Sequence, residues 1–118
     1  NKAISNRYGG SDRVDSLKAL KGELNMLSVG DLTSDLRFLE RLAVRITAEA
    51  QPTVELAVRE SFSSGDTEVH LEVDRDLELR PYLKGGLRAS IDAELAYPPP
   101  DSVELELTLR FRVDAKVL

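Results

Sequence analysis

The stretch that decides the fold is the tail of the chain, SVELELTLRFRVDAKV, residues 102–117. Apolar and polar side chains alternate along it. The apolar set is Val103, Leu105, Leu107, Leu109, Phe111 and Val113, and the polar set is Glu104, Glu106, Thr108, Arg110 and Arg112. A period of two residues places these sets on opposite faces of a β-strand. The tail therefore predicts a long strand with one face in water and the other buried.

The same alternation continues upstream of the tail, between segments typical of turns. It covers residues 41–62, 69–79 and 87–97, which are separated by Ser63–Asp66, by Pro81 with Lys84–Gly86, and by Pro98–Pro100. Serine, glycine, aspartate and proline favour turns between strands. We expect a curved antiparallel meander of four or five strands. Residues 41–62 form either one bent strand or two strands joined by a turn with an odd number of residues, because the apolar positions stay even throughout.

A different pattern precedes the strands. Apolar residues follow one another at spacings of 3, 3, 4 and 3, at Val14, Leu17, Leu20, Leu24 and Leu27. These spacings are typical of the apolar stripe of an amphipathic helix. Ser11 or Asp12 offers an N-cap and Gly30 a stop, so we predict a helix over 12–28. Thr33, Ser34 and Asp35 could cap a second helix through Ile46, but the alternation from Arg41 favours a strand there.

Together these patterns predict an α+β fold in which the N-terminal helix packs on one face of a long-stranded, curved antiparallel sheet. We expect residues 1–10 to be a flexible lead-in or tether and residues 11–118 to form a single domain. A helix of about 16 residues spans only ~24 Å, which is shorter than the predicted strands. Part of the apolar sheet should therefore stay uncovered, open to a ligand or a partner.

Composition and charge exclude several classes of function. The chain has 118 residues and a net charge of −5, with eight Lys and Arg against fourteen Asp and Glu after residue 50. An acidic sheet lacks the clustered cations that contact phosphates, so we expect no nucleic-acid partner. The absence of cysteine excludes disulfides and thiolate ligands. No apolar run is long enough to span a membrane.

The side chains capable of chemistry are few. His70 shares a strand face with Glu72 and Asp74, which could hold a cation, but pairing of this face with Arg110 and Arg112 on a neighbouring strand is the favoured interpretation. Ser61, Ser63 and Ser64 lie in a turn without a nucleophile motif.

Strand parity places Glu60 and Arg75 among the inward residues, which gives the hypothesis of a buried Glu60–Arg75 ion pair. No catalytic, cofactor-binding or metal-binding residue is predicted, and no cofactor.

The function expected from this sequence is that of a non-enzymatic protein-interaction or structural module. It would use its sheet edge or its uncovered apolar face to bind a protein partner or a second copy. The alternative is a small carrier that shelters a lipid-like apolar ligand between helix and sheet, and an enzyme working through exposed carboxylates ranks third. Because the chain begins at Asn1 without a methionine, we expect that a signal, a lipoprotein anchor or a tag preceded it. This slightly favours the periplasm or cell envelope over the cytoplasm.

Overall fold

The computed structural model describes residues 13–29, 35–99 and 102–115. Six strands form one curled, open antiparallel sheet that resembles half of a barrel. The strands are β1 (Val14–Val29), β2 (Leu39–Thr47), β3 (Val54–Arg59), β4 (Glu68–Val73), β5 (Arg88–Leu95) and β6 (Val103–Ala115). Two single turns of helix accompany them, a 3₁₀ turn at Leu36–Phe38 and α1 at Arg80–Leu83. The predicted lead-in, residues 1–10, lies outside the described residues.

The strands follow the spatial order β5-β2-β3-β4-β1-β6. Only β2, β3 and β4 form the predicted meander, and there are six strands rather than four or five. The β3–β4 contact is short, since it pairs only Ala57 with Val73 and Val58 with Glu72. The sheet curls there, so that the layer β5-β2-β3 faces the layer β4-β1-β6.

The predicted N-terminal helix is wrong, and with it the α+β class. Residues 14–29 form the longest strand, β1, which pairs with β6 along its whole length and with β4 at Gly22–Asn25. Three register shifts relative to β6 leave Asp15, Leu20 and Leu27 as extra residues. Each such β-bulge adds one residue to the two-residue period. Spacings of three in β1 therefore arise from bulges, although they imitate the stripe of a helix.

The prediction of β-structure for residues 41–62 is confirmed, and it consists of two strands. Ile46 faces Val54 across the β2–β3 hairpin, so the residues from 47 to 53 between them are odd in number, as the parity required. A β-bulge also interrupts the alternation in β3. Val44 pairs with Ala57 and Arg45 with Glu55, which leaves Leu56 as a bulge. Both Leu56 and Ala57 are consequently buried.

The predicted strand over 69–79 is correct only as far as Val73, where β4 ends. A turn at Arg75-Asp76 follows, and then an irregular segment that leads into α1. The predicted turn at Ser63–Asp66 is confirmed, because the Asp66 amide donates to the Ser63 carbonyl at 3.0 Å. The predicted strand over 87–97 is confirmed as β5 and the tail strand as β6.

The core fills the space between the two layers and has two parts. One gathers residues from β1, β2, β3, β4 and the 3₁₀ turn: Leu24, Met26, Leu36, Phe38, Leu39, Leu42, Val44, Ala57, Val69 and Leu71. The other lies toward α1 and contains Val14, Leu17, Ala19, Ile46, Leu56, Leu79, Tyr82 and Leu83. Full burial of a leucine-sized side chain contributes about 1.5–3 kcal/mol. β1 therefore occupies the place that the predicted helix was expected to fill, and it covers the inner face of β2 and β3.

Candidate functional site

The histidine face does not assemble as predicted. His70 lies on β4 opposite Glu23 of β1, and its Nδ1 is 3.6 Å from Glu23 Oε1. Because β1 lies between β4 and β6, the predicted pairing of this face with Arg110 and Arg112 is wrong. Asp74 lies beyond the end of β4. In the described ranges, no three His, Asp or Glu side chains come together as a cation site.

Glu23 lies close to several positively charged side chains on this face. A hydrogen bond from Lys21, whose Nζ is 2.8 Å from Glu23 Oε1, is the main cause that lowers its pKa. Burial opposes this shift, and the charges of Lys21, His70 and Arg110 lower the pKa further. Glu23 is thus a partly buried carboxylate that is ionised at neutral pH, which does not suit a general acid.

The hypothesis of a buried Glu60–Arg75 pair is also wrong. Both residues are exposed. Glu60 Oε2 lies 3.4 Å from Arg41 Nε, and Arg75 lies in the turn that follows β4. The bulge at Leu56 explains the failure for Glu60, because one extra residue inverts the parity of the rest of the strand. The serines of the 61–64 loop make turn contacts, since the Ser63 amide donates to Asp66 Oδ2 at 2.7 Å.

The sequence patterns did not predict the structural role of one buried carboxylate, that of Asp35. Asp35, which the sequence offered as part of a cap only for the disfavoured second helix, caps the 3₁₀ turn by accepting from the Arg37 amide at 3.0 Å. It also accepts from Arg37 Nε at 3.0 Å and from the Gly65 amide at 3.0 Å. The only signal for this role was the capping preference of aspartate. Asp35 therefore ties the 3₁₀ turn to the β3–β4 loop and has a structural role.

A cleft beside α1 has a volume of about 350 Å³ and is lined by Gln51, Arg80, Pro81 and Lys84. None of the four lining residues is a large apolar or aromatic side chain, and all four lie outside both parts of the core. Sites for apolar ligands are lined mostly by hydrophobic and aromatic side chains. This cleft therefore does not have the lining that a lipid-like ligand requires.

The inner face of the sheet continues onto the outermost strand β5, where its apolar side chains are exposed to solvent. Ile91 faces Val44 of β2 in the ladder, so both side chains point to the inner face. Val44 is fully buried, whereas Ile91 is 58% exposed and Leu95 52% exposed. All eight residues of β5 are exposed. We call this strand, with its apolar row and outer backbone, the β5 edge.

The other outermost strand, β6, shows the same arrangement in weaker form. Its inner row faces β1, with Leu107 opposite Leu24 and Leu105 opposite Met26. These side chains are half-buried, although their partners on β1 are fully buried, and Val113 near the end of the row is 45% exposed. We call the strand Val103–Ala115, with its outer backbone, the β6 edge.

Both edges lack several of the usual protections against pairing. Within residues 13–29, 35–99 and 102–115, no strand pairs with the outer side of β5 or β6. Both strands lack proline, and neither has an inward-pointing charge, since the charged residues lie on the outer face. Proline, inward charges and bulges are among the means by which proteins protect unpaired strand edges, as are the outer-face charges that both strands do carry. The two edges therefore offer free backbone groups beside an apolar row, which is what an added strand requires.

Among the described residues, the helical turns are too short and too polar to cross a membrane. Comparison of the chain with protein-family models, curated proteins and solved structures gave no match.

Proposed function

We propose that this chain is a non-enzymatic protein-interaction module that binds an extended segment of a partner at the open edges of its sheet. In this mode the partner adds a strand, so that main-chain hydrogen bonds provide affinity and alternate side chains provide specificity. The observation that carries the proposal is the exposure of the inner apolar row at the sheet margin, with Ile91 58% exposed beside a fully buried Val44.

The amount of apolar surface supports an interaction role. Three apolar side chains of the β5 region, Ile91, Leu95 and Tyr97, are each about half exposed. Single exposed apolar residues are normal on any protein, but a row continuous with the core is typical of a binding surface. An added strand would cover this row and pair the backbone of β5 in one step.

The distribution of ionisable groups favours binding over catalysis. The two most strongly anchored carboxylates, Asp35 and Glu78, are each held by several donors within the fold. The pKa of Asp35 and that of Glu78 are lowered, whereas a general acid at neutral pH needs a raised value. The carrier alternative required a helix over the sheet, but the segment predicted to form it is the strand β1.

A library of random 12-residue peptides displayed on phage tests the proposal without knowledge of the natural partner. We expect the enriched peptides to alternate apolar and polar residues, as added strands do. Two variants of the chain locate the binding: Ile91→Lys on the β5 edge and Val113→Lys on the β6 edge. An inward-pointing lysine disfavours an added strand, so at least one variant should weaken binding by ~10-fold or more.

Leu27→Lys is the matched control, because Leu27 is 48% exposed but lies on the interior strand β1. Its peptide affinity should stay within about twofold of the parent chain, given that β1 lies between β4 and β6 and is not an outermost strand. The proposal fails if no peptide is enriched, or if enriched peptides bind both edge variants as tightly as the parent chain.

A further inference from the structure

The two edges differ in how their outer-face charges are matched within one chain. On the β5 edge, Asp92 forms an ion pair with Arg45 of β2 at 3.1 Å, and Glu94 faces Arg41. On the β6 edge the ladder brings like charges together, because Arg112 faces Lys18 and Arg110 faces Lys21 on β1. Like charges directly opposite each other destabilise a sheet. The β6 edge thus carries a charge mismatch between facing residues of the two strands.

The local ion pairs of these residues relieve the mismatch only in part. Lys21 contacts Glu23 at 2.8 Å, and Arg112 contacts Asp114 on its own strand at 3.2 Å. Within the described part of the chain, no carboxylate lies at ion-pairing distance from Arg110. The acids of β6 are no better placed, since Glu104 faces Ser28 and Glu106 faces Asn25. The outer face of β6 is therefore acidic at one end and basic at the other, and the carboxylate of Glu23 on β1, opposite Thr108, compensates the charge of Arg110 only in part.

The sequence of β6 is complementary to itself in the antiparallel direction. From Val103 to Val113 it reads VELEL-T-LRFRV, with two glutamates before Thr108 and two arginines after it. A second copy that runs antiparallel, with Thr108 opposite Thr108, places Glu106 opposite Arg110 and Glu104 opposite Arg112. Twofold symmetry repeats both pairs, which gives four ion pairs. On the inner face the same register places Leu107 opposite Leu109 and Leu105 opposite Phe111.

Other registers that keep the inner faces together fit less well. Centring the pair on Leu107 or on Leu109 leaves two ion pairs instead of four, and the latter also sets Glu104 against Asp114. Centring on Glu106 or Arg110 places like charges opposite each other at the axis. A shift by one residue would turn the apolar row of one copy toward the polar face of the other. Thr108 is thus the position that satisfies charge and apolar pattern together.

We infer that two copies of this chain associate through their β6 edges, antiparallel and centred on Thr108, to form one continuous twelve-stranded sheet. This inference names a second copy as the partner of an edge, and it therefore rests on the proposed function. The contact is isologous, as expected of a twofold dimer. In this register residues 103–113 of β6 pair with the same residues of the second copy, which gives a ladder about 37 Å long at the usual rise per residue along the free outer backbone of β6.

Sedimentation equilibrium over a concentration series tests the association directly. We expect a mass of twice the 13.1 kDa of one chain.

Two double variants separate charge from shape: Glu104→Arg with Glu106→Arg makes the outer face of β6 basic, and Arg110→Glu with Arg112→Glu makes it acidic. Each alone should raise the dimer Kd at least ~10-fold, because four attractive pairs become repulsive. Mixed in equal amounts, the two variants should form a heterodimer, since every pair across the axis is then opposite in charge.

Glu40→Arg with Glu72→Arg is the control. It makes the same change in charge at exposed positions on β2 and β4 and should leave the dimer Kd within about twofold of the parent. Circular dichroism and thermal unfolding show that each variant is folded before its mass is interpreted.

Disulfide cross-linking tests the register, because the chain has no cysteine of its own. Thr108→Cys should form a covalent dimer under mild oxidation, since directly opposed residues have Cβ atoms roughly 4.5–5.5 Å apart. Glu106→Cys alone and Arg110→Cys alone should not, whereas an equal mixture of the two should.

A monomer at all concentrations, or a dimer indifferent to the charge variants, overturns the inference. A dimer in which Thr108→Cys does not cross-link overturns the register and with it the proposed interface. These outcomes are separate from the failure of the proposed function, since a monomer that still selects alternating peptides keeps its role as an edge-binding module.

Discussion

At the scale of single residues, the clearest stabilising group is the carboxylate of Asp35. Its side chain is only 6% exposed and lies 3.0 Å from Arg37 Nε. The hydrogen bond from the Arg37 side chain, followed by that from the Gly65 amide, lowers the pKa of Asp35 to about 2 although burial opposes the shift. A carboxylate that is held in its charged form links folding stability to pH.

We expect Asp35→Asn to lower the free energy of unfolding by about 1–2 kcal/mol at pH 7, because the amide keeps the shape but loses the charge-assisted hydrogen bonds. The pKa of Asp35 is lower in the folded chain than in the unfolded chain. Its contribution is therefore complete above the ordinary value of 3.8 and is lost as pH falls toward about 2. Urea unfolding at pH 7, 4 and 2.5 measures the difference between variant and parent.

The matched control is Glu40→Gln, which neutralises an exposed carboxylate at the start of β2. It should change the free energy of unfolding by less than ~0.5 kcal/mol at each pH. A difference between Asp35→Asn and the parent that stays constant from pH 7 to pH 2.5 would show that the charge of Asp35 contributes nothing.

At the scale of elements, the success of sequence interpretation depended on whether a strand is regular. β6 pairs without bulges of its own, and its alternation predicted it correctly. β1 has three bulges opposite β6, and the resulting spacing of its apolar residues imitates that of an amphipathic helix. Side chains alternate between the two faces of a strand with a period of two residues only between bulges. The amino-acid sequence of one protein does not show where the bulges lie. In β1 they are Asp15, Leu20 and Leu27, and both leucines are exposed.

This difference gives a prediction for two leucines that a helix would treat alike. Leu24 is 2% exposed and Leu27 is 48% exposed, although both belonged to the predicted helical stripe. We expect Leu24→Ala to cost about 2–5 kcal/mol, as for other buried leucines. Leu27→Ala should cost less than ~1 kcal/mol, because a bulge residue that points to solvent leaves no cavity. Chemical unfolding of both variants measures the two values.

Leu20→Ala is the second test of the same idea, since Leu20 is also a bulge residue and is 37% exposed. Its cost should resemble that of Leu27→Ala. Equal and large losses at Leu20, Leu24 and Leu27 would contradict the strand and restore the helical stripe.

At the scale of the whole molecule, strand order is what the sequence could not provide. Alternation shows which residues share a face, but β6 and β1 lie far apart in sequence and pair through long-range contacts alone. The candidate site depends on this order, because only outermost strands have free edges. The charge pattern of β6, with acids before Thr108 and arginines after it, was visible in the sequence. Its meaning required knowing that Lys18 and Lys21 face the arginines from β1.

The segment from 74 to 87 connects the two layers and closes one end of the core. Leu79, Tyr82 and Leu83 are buried in the part of the core toward α1. Several hydrogen bonds attach the segment to the rest of the fold. The Leu79 amide donates to the Leu17 carbonyl at 2.8 Å, and the Tyr82 hydroxyl donates to the Pro52 carbonyl at 2.8 Å. Backbone hydrogen bonds also join Asp74 to Leu56 and Gly85 to Glu49.

Glu78 provides a side-chain attachment of this segment. Its carboxylate turns toward β1. It accepts from Ser16 Oγ and from the Leu17 amide, both at 2.7 Å, and from the Arg80 amide at 3.1 Å. Burial by itself would raise the pKa of Glu78, but these hydrogen bonds lower it on balance. The charged form is therefore the one that holds the segment against β1.

We expect Glu78→Ala to destabilise the chain by about 2 kcal/mol, because the amides of Leu17 and Arg80 lose a charged acceptor. Hydrogen exchange should quicken at Leu79 and Tyr82 more than in β2, since the segment would open before the sheet does.

In the parent chain the amides of Leu79 and Tyr82 should exchange faster as pH falls below 4.5, the ordinary pKa of a glutamate, after correction for the intrinsic pH dependence of exchange. The sign follows from the lowered pKa, which makes the stabilisation present at neutral pH and lost in acid. Glu72→Ala, an exposed carboxylate on β4, is the control and should leave exchange at Leu79 unchanged. Protection at Leu79 and Tyr82 that survives in Glu78→Ala would mean that the remaining hydrogen bonds and apolar packing hold the two layers closed at this end without the carboxylate.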